Sequence, residues 1–356
     1  TQSIYVTRDH VTSPFIVLLG DEVYVNTNHE QVLSTLNRDF NVICAVKETD
    51  NLEAIRKNYS VELRDGQITS LVEKPRHIKN NYLGCGTYVF KSSFFDYIEK
   101  TPRSIKSMVV ELTDVINTVA RECGGVLPFF LKGDYANVNT IEDLNTANYI
   151  FRSKTFDQYK ISVIIPALNE ERTIASVIRD FSVPEVDEII VVDGSSTDGT
   201  VKVAEEAGAR VLTKPSRSTP GYGEKLKYGM EMAEGDILVL TEADGTFKAK
   251  DLGKILEYLK DADMVIGTRT TRQMIEQGAN MDWFLRWGNV FLGKLLEVLW
   301  WEDEPRFTDV GCTYRGLWKD TFLRIKDNLH ATGPEFSPEM MIEFIRAKKR
   351  VIEIPV

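Results

Sequence analysis

The sequence predicts two α/β domains with mostly parallel, Rossmann-like sheets, and three observations carry that expectation. A length of 356 residues leaves room for two hydrophobic cores. Continuous apolar runs such as Phe15-Ile-Val-Leu-Leu-Gly20 and Ile161-Ser-Val-Ile-Ile165 have strand length and no polar face, as in sheets covered on both sides. In the second half such runs alternate with helix-length segments, which implies right-handed crossovers between parallel strands.

In the first block, Asn41-Val-Ile-Cys-Ala-Val46 is a second buried strand, and Tyr59 to Leu63 and Ile68 to Val72 flank Asp65-Gly66, a strong hairpin signal. A helix is expected after Thr140, whose hydroxyl caps while Asp143 sits three residues on, with Leu144, Ala147 and Ile150 as its apolar stripe. Periodicity fades from Arg152 to Lys160. The expected division is therefore a first domain over 1–152, a linker over 153–160 and a second domain over 161–356. The second domain continues with Pro166, a helix from about Glu171 to Phe181, a strand over Glu188 to Val192 and a helix from about Thr200 to Ala207. The strand Arg210-Val-Leu212, a helix over Lys225 to Ala233 and a strand over Asp236 to Leu240 follow.

Composition is ordinary for a globular chain, 43% hydrophobic and 27% charged. Lys plus Arg number 43 against 53 Asp plus Glu, a formal charge of −10, so a nucleic acid is not an expected partner. Cys44, Cys85, Cys123 and Cys312 form no CxxC pair, and His10, His29, His77 and His330 show no metal-ligand spacing. A cytoplasmic setting is expected, and any metal falls to carboxylates. The most apolar stretch, Val290 to Trp301, is broken by Lys294 and Glu297 and is shorter than the roughly 20 residues of a bilayer span. Thr1 leads into a strand without a leader pattern and Val356 stops inside strand-like sequence, so both ends read as cut from a longer protein.

Polar clusters fall at three strand ends of the second block: Pro166-Ala-Leu-Asn-Glu170, Asp193-Gly-Ser-Ser-Thr-Asp-Gly-Thr200 and Glu242-Ala-Asp-Gly-Thr246. In parallel sheets the ligand lies beyond the carboxyl ends of the strands, so these clusters converge on one crevice. Mg²⁺ and Mn²⁺ prefer hard oxygen ligands and share their shell with substrate phosphates, which makes Asp244 the metal-ligand candidate. Pro220-Gly-Tyr-Gly-Glu-Lys225 adds glycines just ahead of a helix, though it is not a dinucleotide fingerprint. Any one of these clusters alone reads as a plain turn; their order and spacing together favour a site.

The segments IPALNEE, VVDGSSTDGT, GYGEKLKYGMEMAEGD and LTEADGTF resemble the nucleotide-sugar half of a family 2 glycosyltransferase of GT-A fold. Ile266-Gly-Thr-Arg269, Arg286-Trp-Gly-Asn289, Thr308 to Arg315 and Glu353-Ile-Pro355 are similar to its polyprenyl-phosphate sugar transferase branch. The resemblance implies that Pro166, Leu168 and Glu170 line the base and ribose pocket and that Asp193 hydrogen-bonds the base. It implies that Glu242 and Asp244 form the metal-binding pair, holding Mg²⁺ or Mn²⁺ on a nucleotide-diphospho-sugar donor, with Glu242 departing from the usual Asp. It also implies that Arg269, Arg286 and Arg315 face phosphates and that transfer inverts the anomeric centre. A phosphate acceptor needs little base help; a hydroxyl acceptor needs a carboxylate, for which Asp309, Glu335 and Glu339 are the candidates. Polyprenyl phosphate is the expected acceptor, with a small soluble acceptor such as a phosphoglycerate, or sugar-nucleotide binding without turnover, as alternatives.

The five tryptophans, Trp283, Trp287, Trp300, Trp301 and Trp318, crowd one part of this block with Phe291, Leu292 and Leu295. Segment 283–301 either packs between helices or lies at a bilayer interface, where the chain would sit at the cytoplasmic face.

Finally, Pro14 to Asp21, Val72-Glu-Lys-Pro75, Asn81 to Tyr88 and Asn137 to Leu144 resemble sugar-1-phosphate nucleotidyltransferases. There Asp21 matches a Mg²⁺ ligand, Glu73 and Lys74 match sugar-phosphate contacts, and Asn137 stands where a second metal ligand is often Asp. That family's glycine-rich nucleotide loop lies upstream of its first Asp, and nothing like it precedes Gly20. The first domain therefore reads as incomplete at its N-terminus, its site as vestigial, and nucleotidyl transfer is not expected of it; a longer protein would make an activated sugar and then transfer it.

Overall fold

The apolar runs become strands in the computed structural model, which describes residues 1–105, 107–214, 220–269, 283–299 and 307–356. The chain divides into two units, Thr1–Ala147 and Asn148–Val356. The first contains β1 Phe15–Leu18, β2 Glu22–Val25, β3 Val42–Glu48, β4 Tyr59–Arg64, β5 Gln67–Glu73, β6 Tyr82–Phe90, β7 Val126–Phe130 and β8 Asp134–Asn137. Its main sheet runs β5-β4-β6-β3-β7, with β1 also on β6, while β2 pairs with β8. Among the described residues its parallel ladder is β3–β7, and the remaining pairs are antiparallel. The Asp65–Gly66 turn explains part of this: both residues sit at positive φ, 49° and 76°, which folds β4 directly back onto β5. The helix Leu112–Glu122 buries Val115, Ile116 and Val119 on one face, and Phe40, Ile43 and Phe129 fill the other.

The second unit holds the mostly parallel sheet. Its strands are β9 Ile161–Ala167, β10 Glu188–Asp193, β11 Arg210–Thr213, β12 Ile237–Leu240, β13 Met264–Thr268, β14 Arg315–Trp318 and β15 Val351–Pro355, in the order β11-β10-β9-β12-β14-β13-β15. β9 runs parallel to both β10 and β12, with Ala167 beside Asp193 and Ile164 beside Leu240, so the three carboxyl ends face the same edge. β14 is antiparallel between β12 and β13, and its first residue, Arg315, stands beside Leu240 and Ile266. The helix Tyr222–Met232 lies across β9 and β10, and Gly229 makes that possible. A Cβ there would sit 2.7 Å from Ile164 Cγ2 and 2.8 Å from Val192 Cγ2.

The stretch expected as a linker is ordered structure. A helix spans Ile141–Thr155, with the Asp143 amide donating to Thr140 Oγ1 at 3.2 Å as the cap predicted. Arg152 donates to Asp263 Oδ1 at 2.8 Å, and its guanidinium lies 4.6 Å over the Trp318 ring. Tyr159 meets the same ring edge-on at 4.9 Å, and Phe156 at 6.1 Å. Periodicity hid this because the partners are far along the chain. Trp318 is thus buried in β14, not in an amphipathic helix. No cysteine is paired: Cys44, Cys85 and Cys312 are buried and Cys123 is exposed. Among the described residues no helix is long and apolar enough to cross a membrane.

Gly229→Ala tests the helix-to-sheet fit. An exposed helical site would gain stability from this change. Here the two methyls belong to buried β-branched side chains with little rotamer freedom. Urea unfolding is expected to show a loss of about 1–3 kcal/mol.

Candidate functional site

At the tips of β9 and β10 the following loops are sewn together. Asn169, at φ 57°, accepts the Thr197 amide at 2.8 Å and donates its own amide to Ser196 Oγ at 2.9 Å. The Glu170 amide donates to Thr200 Oγ1 at 2.8 Å, and Glu171 accepts the Gly199 amide at 3.1 Å. Asp193, buried at the end of β10, accepts the Ser195 and Ser196 amides at 2.9 and 3.1 Å. Asn, Asp, Ser and Thr fold these loops because their short side chains satisfy backbone amides that no strand partner reaches. Pro166 is buried in β9, whereas Leu168 is exposed and Glu170 half-buried beside it.

β12 ends in Leu240, and after Thr241 the chain turns through Glu242-Ala-Asp-Gly245. Asp244 is exposed; its carboxylate accepts the Thr246 amide and hydroxyl, both at 2.8 Å, around Gly245 at φ 79°. Glu242 is half-buried and accepts the Thr313 hydroxyl at 2.6 Å. Burial pushes its carboxyl above the usual range against the lowering effect of Thr313, and the Asp244 charge adds to the rise. Among the described residues no group of three His, Cys, Asp or Glu converges to hold a metal. Two hard-oxygen carboxylates on one turn suit a Mg²⁺ or Mn²⁺ that takes its remaining ligands from substrate phosphates and water.

The other candidates divide. Asp309 is fully buried and forms a bidentate pair with Arg269, Nε to Oδ2 at 3.1 Å and Nη2 to Oδ1 at 3.3 Å, while the Arg269 amide adds a third bond at 3.0 Å. It is an anchor for Arg269, not a free base. Arg315 departs furthest from its sequence reading. Its guanidinium is fully buried and donates to the backbone carbonyls of Cys312 at 2.8 Å, Val310 at 2.9 Å and Ser337 at 2.6 Å. A phosphate-facing role is corrected to a structural one, since its donors are spent on the chain itself. Glu339 accepts the His330 and Ala331 amides, both at 2.9 Å, and Glu335 accepts the Gly333 amide at 2.9 Å. The side chains of Trp283 and Arg286, and the whole of Trp300 and Trp301, lie outside the described residues. In the helix Trp283–Leu299, Gly293 and Glu297 pack toward Phe307, while Trp287, Phe291, Leu295 and Val298 are exposed.

One buried cation was missed. Lys225, on the helix Tyr222–Met232, is 7% exposed and donates to the Ala167 carbonyl at 3.2 Å. Burial lowers its ammonium pKa, against the opposing pull of Asp193 and Glu170. A signal was present: Lys225 shares one helical stripe with Tyr222, Gly229 and Ala233, the stripe that packs inward.

In the first unit, Asp21, Glu73, Lys74 and Asn137 all line one cleft of about 890 Å³, with Tyr59, Glu111 and Asp143. Pairing of Glu22 with Asn137 brings β2 and β8 together there, and the Val138 amide donates to the Asp21 carbonyl at 2.8 Å. Burial raises the Glu73 pKa, and Glu111 adds to the rise.

Residues 162–315 match the family described as glycosyl transferase family 2, and residues 1–154 match nucleotidyl transferase. Glycosyltransferase AglJ of Haloferax volcanii is 30% identical over 197 residues, 55% of this chain and 61% of that protein. The undecaprenyl-phosphate mannosyltransferase of Micrococcus luteus is 29% identical over 213 residues, 55% of this chain and 82% of that protein. This chain thus spans less than two thirds of the length of the AglJ protein. Among solved structures, glucosyl-3-phosphoglycerate synthase from Mycobacterium tuberculosis with Mn²⁺, UDP and glucosyl-3-phosphoglycerate aligns at 23% identity with a TM-score of 0.44. That alignment covers 61% of this chain and 74% of the other.

The raised Glu242 pKa makes a signed prediction. A carboxyl that holds its proton more tightly when folded stabilises the fold in acid and loses that contribution as pH rises above the ordinary value of 4.5. Glu242→Gln is therefore expected to raise the melting temperature at pH 7 by roughly 1–3 °C, and the gain should vanish near pH 4 in thermal melts.

Proposed function

We propose that this chain, in which a nucleotidyl transferase domain is followed by a glycosyl transferase family 2 domain, moves a sugar from a nucleotide-diphospho-sugar to polyprenyl phosphate with inversion. The observation that carries this reading is the common edge of β9, β10 and β12, where Asp193, Glu242 and Asp244 stand at or just past neighbouring strand tips. Parallel sheets place ligands at that edge.

In this reading Pro166, Leu168 and Glu170 border the base and ribose, and Asp193 accepts a base N–H. Asp244, with Glu242, holds Mg²⁺ or Mn²⁺, which neutralises charge on the diphosphate when bound. An acceptor phosphate oxygen attacks the anomeric carbon as the bond to the diphosphate oxygen breaks, and the electron pair leaves with the nucleoside diphosphate. Arg269, held in orientation by Asp309, meets charge developing on the leaving group without reorganising. In the first unit, the cleft around Asp21, Glu73, Lys74 and Asn137 is the place of a sugar phosphate.

Two features support a phosphate acceptor over a hydroxyl one. Asp309, Glu335 and Glu339, the expected bases, are already committed to Arg269 or to backbone amides. The exposed stripe of Trp287, Phe291, Leu295 and Val298 suits a lipid surface, where a polyprenyl chain resides. This would hold the protein at the cytoplasmic face of a membrane.

In an assay of labelled sugar transfer from UDP- or GDP-sugars to polyprenyl phosphate with Mn²⁺, Asp244→Ala should lower turnover by roughly 10²–10³-fold. Unchanged transfer would remove Asp244 from the metal site. Flotation with anionic liposomes should carry the chain upward, and Trp287→Ser combined with Phe291→Ser should leave it at the bottom of the gradient.

A further inference from the structure

We infer that Glu353 is a positioning residue for sugar transfer: its carboxylate clamps Thr308 and Thr268, and through them fixes the Asp309–Arg269 pair at the angle from which Arg269 meets the departing diphosphate. The inference rests on the proposed transfer and deepens it.

Glu353 stands in the middle of β15, in register with Ile266 of β13. Its half-buried side chain reaches Thr308 with both oxygens: Oε2 accepts the Thr308 amide at 2.6 Å, and Oε1 accepts the Thr308 hydroxyl at 2.7 Å. Thr268 Oγ1 lies 3.1 Å from Thr308 Oγ1. Burial pushes the Glu353 carboxyl above the usual range, while hydrogen bonds from Thr308 and Thr268 oppose that rise by favouring the carboxylate. The Thr268 carbonyl in turn accepts the Val356 amide at 3.3 Å. A Cβ on Gly267 would lie 2.5 Å from Val356 Cγ2, so glycine there is what lets the ends of β13 and β15 approach.

Each threonine is one residue ahead of a member of the ion pair, Thr268 before Arg269 and Thr308 before Asp309. Two layers result. The first ties both segments to β15 through Glu353, and the second is the bidentate pair itself, in which the Asp309 side chain is fully buried. A guanidinium has five N–H donors, and Asp309 takes those of Nε and Nη2. Among the described residues Nη1 makes no hydrogen bond, so its donors are left for a phosphate oxygen. The Phe247 ring, three residues beyond Asp244, lies 5.8 Å from this guanidinium, which sets Arg269 against the turn assigned to the metal. Without Glu353 the Thr308–Asp309 step loses its tie to β15 and Arg269 turns with it. A misplacement of about 1 Å in such a group costs on the order of 10²-fold in rate.

The experiment measures kcat and donor KM for labelled sugar transfer from UDP- or GDP-sugars to polyprenyl phosphate with Mn²⁺, using the full chain in a double-mutant cycle. Arg269→Lys keeps a cation beside Asp309 but loses the planar fork, and should lower kcat by at least about tenfold. Glu353→Ala should lower kcat by about 10–100-fold with donor KM changed by less than about threefold. Glu353→Gln should keep at least about a third of the parent kcat, because its amide oxygen still accepts the Thr308 amide and the two hydroxyls can turn to accept from its amino group. Added to Arg269→Lys, Glu353→Ala should cost less than about a further twofold, since both act through one guanidinium. Thr308→Val removes the clamped hydroxyl at nearly constant volume and should show the same non-additivity with a smaller loss. It carries the test if thermal melts show that Glu353→Ala is unfolded at the assay temperature. Glu353→Ala and Thr308→Val rates within about twofold of the parent, a Glu353→Gln rate as low as that of Glu353→Ala, or losses that multiply in the Arg269→Lys background overturn the inference while the transfer reading stands. An unchanged rate for Arg269→Lys removes Arg269 from the phosphates and overturns the inference with it. A parent chain that transfers no sugar overturns the reading and the inference together.

Discussion

A buried positive charge, Arg315, organises the edge on which the site is built. It has no carboxylate partner within ion-pair distance among the described residues, and the backbone carbonyls of Val310, Cys312 and Ser337 take its place. Bringing three carbonyls to one guanidinium fixes the path of residues 309–313 between β13 and β14. On one side of that path Asp309 grips Arg269, and on the other Thr313 donates to Glu242. The same guanidinium reaches Ser337, two residues before Glu339, whose carboxylate holds the His330 and Ala331 amides. The loop so held lies against Gly221 and Gly223 at the start of the helix that carries Lys225. Loss of one carbonyl contact would leave part of a buried charge unsatisfied, so the path is strongly determined.

Strand ends and loop chemistry provide a second level of order. Asn169, Glu171 and Thr200 spend side-chain oxygens on the backbone amides of Thr197, Gly199 and Glu170 across the two loops, which keeps the loops after β9 and β10 in one shape before any ligand arrives. Preorganisation of this kind lowers the ordering cost of binding. Asp244 differs: it is exposed and, among the described residues, hydrogen-bonded by Thr246, so its oxygens exchange partners at little cost.

Much of this was readable in the chain. Continuous apolar runs located β3, β9, β10 and β12, because strands covered on both faces need no polar alternation. Asp65-Gly66 announced its hairpin, and the three polar clusters marked the strand tips. Arg315 was misread because arginine in a motif suggests a ligand, while the carbonyls that enclose it come from Ser337 and a turn whose shape is set by tertiary packing. Glu339 and Asp309 looked like available carboxylates for the same reason; local sequence does not reveal which amide or guanidinium a side chain will meet. Residues 153–160 read as a linker because Trp318, on which Phe156 and Tyr159 pack, belongs to a strand formed much later in the chain. Lys225 was overlooked inside a glycine-rich segment, although its place on the inward stripe was there to be noticed.

The distribution of thiols has a practical side. Cys44, Cys85 and Cys312 are shut inside strands or turns, and burial pushes the Cys312 thiol up to about 12, which leaves almost no thiolate at neutral pH. Cys123, at the end of the helix Leu112–Glu122, is the exposed one. A maleimide dye or spin label applied to the native protein will therefore settle on the first unit and leave the second chemically untouched. The molecule comes with a single attachment point for a reporter, remote in sequence from every residue assigned to sugar transfer, and no cysteine need be engineered to use it.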